Sequence, residues 1–318
     1  MWDKLLGYII KATDIQPQYK AEHCLVVKRQ VGGCTKCRDV CPHDAIRIRS
    51  RVEIDEIDCT GCGLCVQICP SEALESSTSF AAGMPLKCSQ VGGGAQSVQC
   101  HTRLTSSDLL RLADKDGKVT LARGDCEGCK IGSSAVPEAL EALAGEARAL
   151  AELSGRELRL EVLELDTLDA TDNPNKLSRR ELMHGGWRSL QHTAADVLAP
   201  LDPGDPTEKH LPSEMQKHYR LIAMAKPEAD TTVPWVLPRV AEGCIMCPVC
   251  TNVCPTKAFS REFEPPTEGS GAVLKLEPSA CMGCNACAVS CPPKVISLDE
   301  QVSWGELSGG PLEMYKKG

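Results

Sequence analysis

Two stretches near the C-terminus carry the most regular chemistry of the chain. "CIMCPVCTNVCP" holds Cys244, Cys247, Cys250 and Cys254, and "CMGCNACAVSCP" repeats the same spacing with Cys281, Cys284, Cys287 and Cys291. Both read C-x2-C-x2-C-x3-C-P, a spacing that suits a chain wrapping a cubane [4Fe-4S] cluster with soft thiolate ligands. Three cysteines with two residues between neighbours let a tight loop reach three corners of the cube. The fourth cannot reach the same cube without strain, so it serves a neighbouring one. The proline after it fixes φ, removes a donor and stops the local helix. Crossed in this way, one cluster takes Cys244, Cys247, Cys250 and Cys291, and the other takes Cys281, Cys284, Cys287 and Cys254. Zinc ribbons use paired C-x2-C hooks instead.

The N-terminal region repeats the design with one defect. "CTGCGLCVQICP" is complete, with Cys59, Cys62, Cys65 and Cys69, but "VGGCTKCRDVCP" has Val31 where the first cysteine belongs. Valine cannot ligate iron. Cys24 stands seven residues upstream in "EHCLVVKRQVGGC". "LVVKRQV" is β-branched enough for a short strand, and Gly32-Gly33 can bend it back on the cube. The first cluster then takes Cys24, Cys34, Cys37 and Cys69, and its partner takes Cys59, Cys62, Cys65 and Cys41. The alternative leaves Cys24 a buried thiol and the site with a three-iron cluster or a water ligand. His23 is a weaker substitute.

The surrounding elements repeat as well. "AIRIRSRVEIDEID" alternates apolar and polar residues on both sides of Ser50, which predicts a hairpin between the two halves. The text after each terminal proline is similar ("HDAIRI", "SEALES", "TKAFSR", "PKVISL"), so the chain contains four half-modules. On these motifs, residues 24–70 and 244–292 resemble the bacterial two-[4Fe-4S] ferredoxin family. The resemblance implies small two-fold-symmetric β-α-β domains that carry single electrons between redox enzymes.

Four more cysteines, Cys88, Cys100, Cys126 and Cys129, stand in a different context. "SSDLLRLADKDG" predicts a helix with a Ser start and a Gly stop. "KVTLAR" reads as a buried strand leading into C-x2-C. Val136, Leu140, Leu143, Ala147, Leu150 and Leu153 recur at helical spacing, and "ELRLEVLEL" closes with strand alternation. Alternating strands and helices predict a small parallel α/β domain, whose strand carboxyl ends face one crevice. Each cysteine follows a strand-like run, so all four converge there in this reading. The layout resembles the small iron–sulfur subunit that links hydrogenases to heterodisulfide reductases. Three readings fit the four cysteines: a fifth iron–sulfur cluster, a structural zinc, or a thiol–disulfide pair at Cys126 and Cys129. His101, beside Cys100, is a substitute ligand or a polar surface residue. "VGGGAQ" (91–96) is neither a dinucleotide fingerprint nor a P-loop and reads as a loop.

The expected fold class is therefore α+β, with two ferredoxin-like dicluster modules (1–82 and 239–318) flanking a parallel α/β domain (83–170). A helical linker covers 171–238, with a cap at Ser178, a broken helix around Trp187, and Leu190, Ala194, Val197 and Leu198 on a second helix. Met183, Trp187 and Trp235 cover a neighbouring domain or a partner, or pack in a core, and "WDKLLGYII" is an amphipathic helix that packs.

The whole chain has 318 residues, 20 cysteines, 3% aromatics and a formal charge of −8. Its start has no basic n-region or full apolar h-region, and no run approaches the roughly 20 apolar residues of a membrane span. Those features predict thiolates on metal in a reducing, cytoplasmic compartment. The acidity argues against nucleic acid and favours docking on a basic protein patch. With no nucleophile elbow, P-loop or zinc helix present, the sequence points to electron transfer through four [4Fe-4S] clusters, with a fifth centre open. The expected partner is a redox enzyme of molybdopterin, hydrogenase or heterodisulfide-reductase type. The resemblance to electron-transfer subunits of molybdopterin enzymes such as formate dehydrogenases rests on four clusters in one chain, although their runs interleave more closely. Two other classes stay open: a thiol/disulfide reductase fed by the ferredoxin modules, and a maturation factor for a redox enzyme.

Overall fold

The computed structural model describes residues 16–26, 34–78, 80–91, 96–165, 211–263 and 271–317. Val31 and Gly32-Gly33, the N-terminal "WDKLLGYII" segment, most of "VGGGAQ", and the segment holding Ser178, Met183, Trp187, Leu190, Ala194, Val197 and Leu198 lie outside these.

Short helices mark the four half-modules. Lys36–Asp39, Leu64–Gln67, Val249–Val253 and Ala286–Ser290 each carry one cysteine of a run: Cys37, Cys65, Cys250 and Cys287. Each is stopped within a residue or two by the next cysteine and its proline, which cannot continue the hydrogen-bond ladder. The third residue past each of those cysteines turns into the left-handed region: Asp44 at φ 51°, Glu72 at 45°, Lys257 at 59° and Lys294 at 56°. Their N–H groups donate to the carbonyls of Cys41, Cys69, Cys254 and Cys291 at 3.5, 3.3, 3.4 and 3.2 Å. The repeat is thus a property of the backbone as well as of the text.

Strand pairs close each module. Ile46–Ile48 and Val52–Ile54 form the expected hairpin, with Ile46 opposite Ile54, and Gln18–Tyr19 pairs antiparallel with Leu74–Glu75. At the other end of the chain Leu237–Val240 pairs with Ile296–Asp299, and Thr232–Val233 with Val302–Ser303. Phe259–Phe263, Ala272–Leu276 and Leu312–Lys317 add a three-stranded antiparallel sheet. Leu25 and Val26, expected to begin a strand, are helical. Leu25 is buried in one apolar cluster with Val253 and Ala286, and that contact outweighs local β preference.

The central residues form a four-stranded parallel sheet in the order Ser97–Val98, Leu86–Cys88, Lys118–Arg123, Arg159–Glu164. The helix Val136–Glu152 buries Val136, Leu140, Leu143, Ala147 and Leu150 along one stripe, as its periodicity predicts. The preceding helix, Ser106–Leu112, corrects the expected boundaries. Its cap is Thr105, in a reciprocal box with Asp108, and it ends at Leu112, well before Gly117. Gly117 instead closes a separate turn, at φ 76° and within 2.0 Å of the Glu157 carbonyl oxygen for an added Cβ. The helix Ser213–Ala225 lies between the sheet and the C-terminal module. Trp235 is buried in the C-terminal core with its ring edge-on to Tyr219, 6.1 Å between centroids.

Candidate iron–sulfur sites

Cys24, Cys34, Cys37 and Cys69 line one small cavity with Tyr19, Leu25, Ile48, Val52 and Leu74. Four thiols around an apolar hollow are the donor set and the dry wall that a cubane cluster needs, so these residues fit the group. Burial, then repulsion from Cys69 and Cys34, pushes the Cys37 thiol up to about 11. The partner set is gathered in the same way. Burial raises Cys65, and charge on Cys62, Cys59 and Cys41 raises it further.

The C-terminal runs repeat this arrangement. Burial raises Cys287 to about 12 and Cys284 to about 11, with Cys254 contributing charge repulsion to both. Cys250 is raised to about 11 by burial, with Cys247 and Cys244 as its charged neighbours. Cys291 is buried. Thiols held protonated in this way must release protons on binding metal. The structure also aims backbone donors at sulfur: Ala73 N–H to Cys69 Sγ at 3.3 Å and Ala258 N–H to Cys254 Sγ at 3.2 Å. Ser71 and Thr256 hydroxyls sit at 3.9 and 3.5 Å from the same two sulfurs. The paired "CPS" (69–71) and "CPT" (254–256) text carries that signal in the sequence.

The four central cysteines sit at the carboxyl end of the parallel sheet. Cys88 ends one strand, Cys100 follows the next by two residues, and Cys126 and Cys129 follow Arg123. Burial raises the Cys100 thiol, with Cys62 and Cys88 as charged neighbours. Burial also raises Cys126, against the pull of Arg123, whose guanidinium donates to Cys126 Sγ at 3.3 Å. That direction is opposite to the lowered pKa of a reactive C-x2-C thiol. Ile131 and Gly132 N–H groups both donate to Cys129 Sγ at 3.3 Å. Among the described residues no three Cys, His, Asp or Glu side chains close on a single-ion site.

His101 corrects the expectation of a surface residue. It is 1% exposed, its Nε2 has no partner, and burial takes its imidazole down to about 4. The Nδ1 of His23 is likewise buried without a partner.

Two seams join these regions. Thr102 Oγ1 lies 3.3 Å from Cys100 Sγ and donates to the Cys62 carbonyl at 2.7 Å. Gly63, at φ 88°, lets the Thr102–Arg103 backbone pass so close that an added Cβ would meet Thr102 O at 2.7 Å. Gln67 Nε2 and Arg103 Nη1 tie the same seam through the carbonyls of Thr102, Leu104 and Gly61. Neither Thr102 nor Gly63 stood out in the sequence, because their partners are some 40 residues away.

Residues 32–73 match the family described as a 4Fe-4S dicluster domain, and residues 241–257 and 278–297 match a 4Fe-4S binding domain. The chain carries two ferredoxin-type 4Fe-4S domains. A stretch of 91 residues is 34% identical to Hydrogenase-4 component A of Escherichia coli (strain K12), covering 29% of this chain and 37% of that protein. The chain therefore spans little more than a third of that relative's length. No solved structure matches the chain. No helix among the described residues is long and apolar enough to cross a membrane.

Proposed function

We propose that the chain is an electron-carrying subunit of a redox-enzyme complex, with four [4Fe-4S] sites in its ferredoxin-type domains and a fifth iron–sulfur site in the parallel sheet. The ligand sets are Cys24/Cys34/Cys37/Cys69, Cys41/Cys59/Cys62/Cys65, Cys244/Cys247/Cys250/Cys291 and Cys254/Cys281/Cys284/Cys287, with Cys88/Cys100/Cys126/Cys129 as the fifth. The observation that carries the reading is the apolar cavity ringed by Cys24, Cys34, Cys37 and Cys69. When bound, each cluster takes up and returns one electron. The chain's part is to exclude water, as the buried Cys62, Cys65 and Cys250 do, and to point N–H groups at sulfur. The likeness to a protein named as a hydrogenase component favours a hydrogenase-type partner over the molybdopterin and heterodisulfide types. The raised Cys126 thiol gives the thiol-reductase alternative no support.

An anaerobic reductive titration tests this. Uptake of about four to five single electrons per chain, returned to an acceptor, supports the reading. Uptake confined to one two-electron couple, with the thiols of Cys126 and Cys129 appearing in step, would sink it.

A further inference from the structure

The order of the cysteine sets along the chain is not their order in space. In sequence the parallel sheet stands between the ferredoxin-type domains, yet its cysteines face only one of them in the contacts that follow. Cys62, Cys100 and Cys126 share one buried apolar cluster with Leu64 and Val136. Thr102 bridges from the Cys100 sulfur to the Cys62 carbonyl. Inside the N-terminal domain, Cys65 packs in one core with Cys37 and Cys69. Across the second seam, Leu25 beside Cys24 packs on Val253, Ala286 and Cys284. Within the C-terminal domain, Cys250 is buried in one apolar cluster against which Cys254, Cys284 and Cys287 pack.

Both ends of this file carry exposed loops. Around the Cys126–Cys129 loop, Asp125, Glu127, Gly128 and Lys130 are exposed. Around Cys244, the residues Ala241, Glu242 and Gly243 are exposed and Ile245 is 57% exposed. Cys62 and Cys65 are buried, as is Cys126, and the 56–58 stretch before Cys59 is exposed.

We propose that the five sets form a single file whose two ports are the Cys126–Cys129 loop and the Cys244–Cys247 loop, with the N-terminal domain as the internal relay between them. The file runs from the parallel sheet through Cys41/Cys59/Cys62/Cys65, then Cys24/Cys34/Cys37/Cys69, then Cys254/Cys281/Cys284/Cys287, to Cys244/Cys247/Cys250/Cys291. Each crossing oxidises one set by one electron and reduces the next by one, and no atom moves. A one-electron protein donor docks at one port and a one-electron acceptor at the other. This rests on the five-site reading above.

Low-temperature EPR of the dithionite-reduced holoprotein tests it, through the splitting that neighbouring reduced sites impose on one another. A Cys126→Ala, Cys129→Ala double variant should lose the iron of the fifth site and the splitting it imposes on an N-terminal signal. The C-terminal signals should stay unchanged. A Cys244→Ala, Cys247→Ala double variant should relieve splitting only within the C-terminal pair, and it decides the order by itself if the first variant fails to fold. Relief of C-terminal splitting in the first variant, or of N-terminal splitting in the second, would overturn the file while leaving the five-site reading intact. Iron content identical in wild type and the first variant would remove the fifth site, and with it the port.

Discussion

Among the described residues, the N-terminal ferredoxin-type domain has six buried residues in its core cluster, and two of them, Cys24 and Cys65, are thiols. The C-terminal domain shares a cluster of fifteen, built on Trp235, Leu237, Phe259, Leu274, Leu276 and Leu307 and reached by Leu150 from the parallel-sheet helix. Both domains carry the same helices, the same Cys-Pro stops and the same left-handed turn. The C-terminal one adds a three-stranded sheet, and it uses lysines (Lys257 and Lys294) where the N-terminal one uses acids (Asp44 and Glu72). Among the described residues the C-terminal domain has the larger apolar core, and in the reading proposed above metal ligands do more of the holding at the N-terminus. A small domain that cannot bury enough apolar surface draws its stability from bound metal.

The largest effect should therefore come from removing the clusters. Hydrogen exchange on the apo protein should show protection lost throughout Ile46–Ile54 and retained in Ala272–Leu276 and Leu312–Lys317. Equal loss in both domains would dissolve the contrast. Next in size is the seam between Gly63 of the N-terminal domain and the Thr102–Arg103 backbone of the parallel-sheet region. Gly63→Ala forces a Cβ into the Thr102 carbonyl at a φ that disfavours alanine, and should cost about 2 kcal/mol or more in a thermal melt of the holoprotein. The matching C-terminal position is Asn285, which already holds φ 65° with a side chain, so Asn285→Gly should change stability by only tenths of a kcal/mol.

The acid at the N-terminal turn gives a smaller, pH-dependent effect. Burial, then the charge of Glu214, raises the Glu72 carboxyl to about 7. Its folded value lies above its unfolded value of about 4.3, so Glu72 withdraws stability as pH rises through about 4.3 to 7. Glu72→Gln should flatten that stretch of the stability–pH curve and gain on the order of 1 kcal/mol at pH 8, after allowance for solvent screening. Glu214 acts in the opposite sense. Burial opposes its ionisation, but the His218 hydrogen bond and charge prevail and hold it well below the usual carboxylate range. The stability it contributes is present above about pH 4.3 and is lost as pH falls below that. Chemical denaturation across pH separates the two windows.

The smallest effect sharpens the comparison at the sulfurs. Thr102→Val removes the hydroxyl beside Cys100 while leaving every thiol in place. The hydroxyl's one proton goes to the Cys62 carbonyl, so losing that hydrogen bond should cost about 1 kcal/mol in a thermal melt of the holoprotein, while the redox potentials of the C-terminal sites stay where they are.

The cysteine runs, the hairpin about Ser50 and the helix Val136–Glu152 were legible in the sequence because each is written within about 20 residues, at spacings the backbone imposes. Cys24 was legible as a candidate only because a gap at Val31 called for it. Thr102, Gly63 and the helical Leu25 were not legible, since each owes its role to a surface supplied by another domain, and the buried His101 was not, since its neighbours Leu86 and Arg123 are distant in the sequence. The start of the Ser106 helix was misread for a local reason: three hydroxyl residues in a row offered competing caps, and Thr105 was the one that met Asp108.

The most direct test of the account is iron and acid-labile sulfide per anaerobically purified chain, with EPR of the oxidised protein, in wild type and Cys24→Ala. The account predicts about 18 to 20 iron atoms in wild type and a three-iron signal that appears only when Cys24 is replaced. About 17 to 19 iron atoms in wild type, with that signal already present, would contradict it: Val31 would then mark a site that Cys24 does not complete.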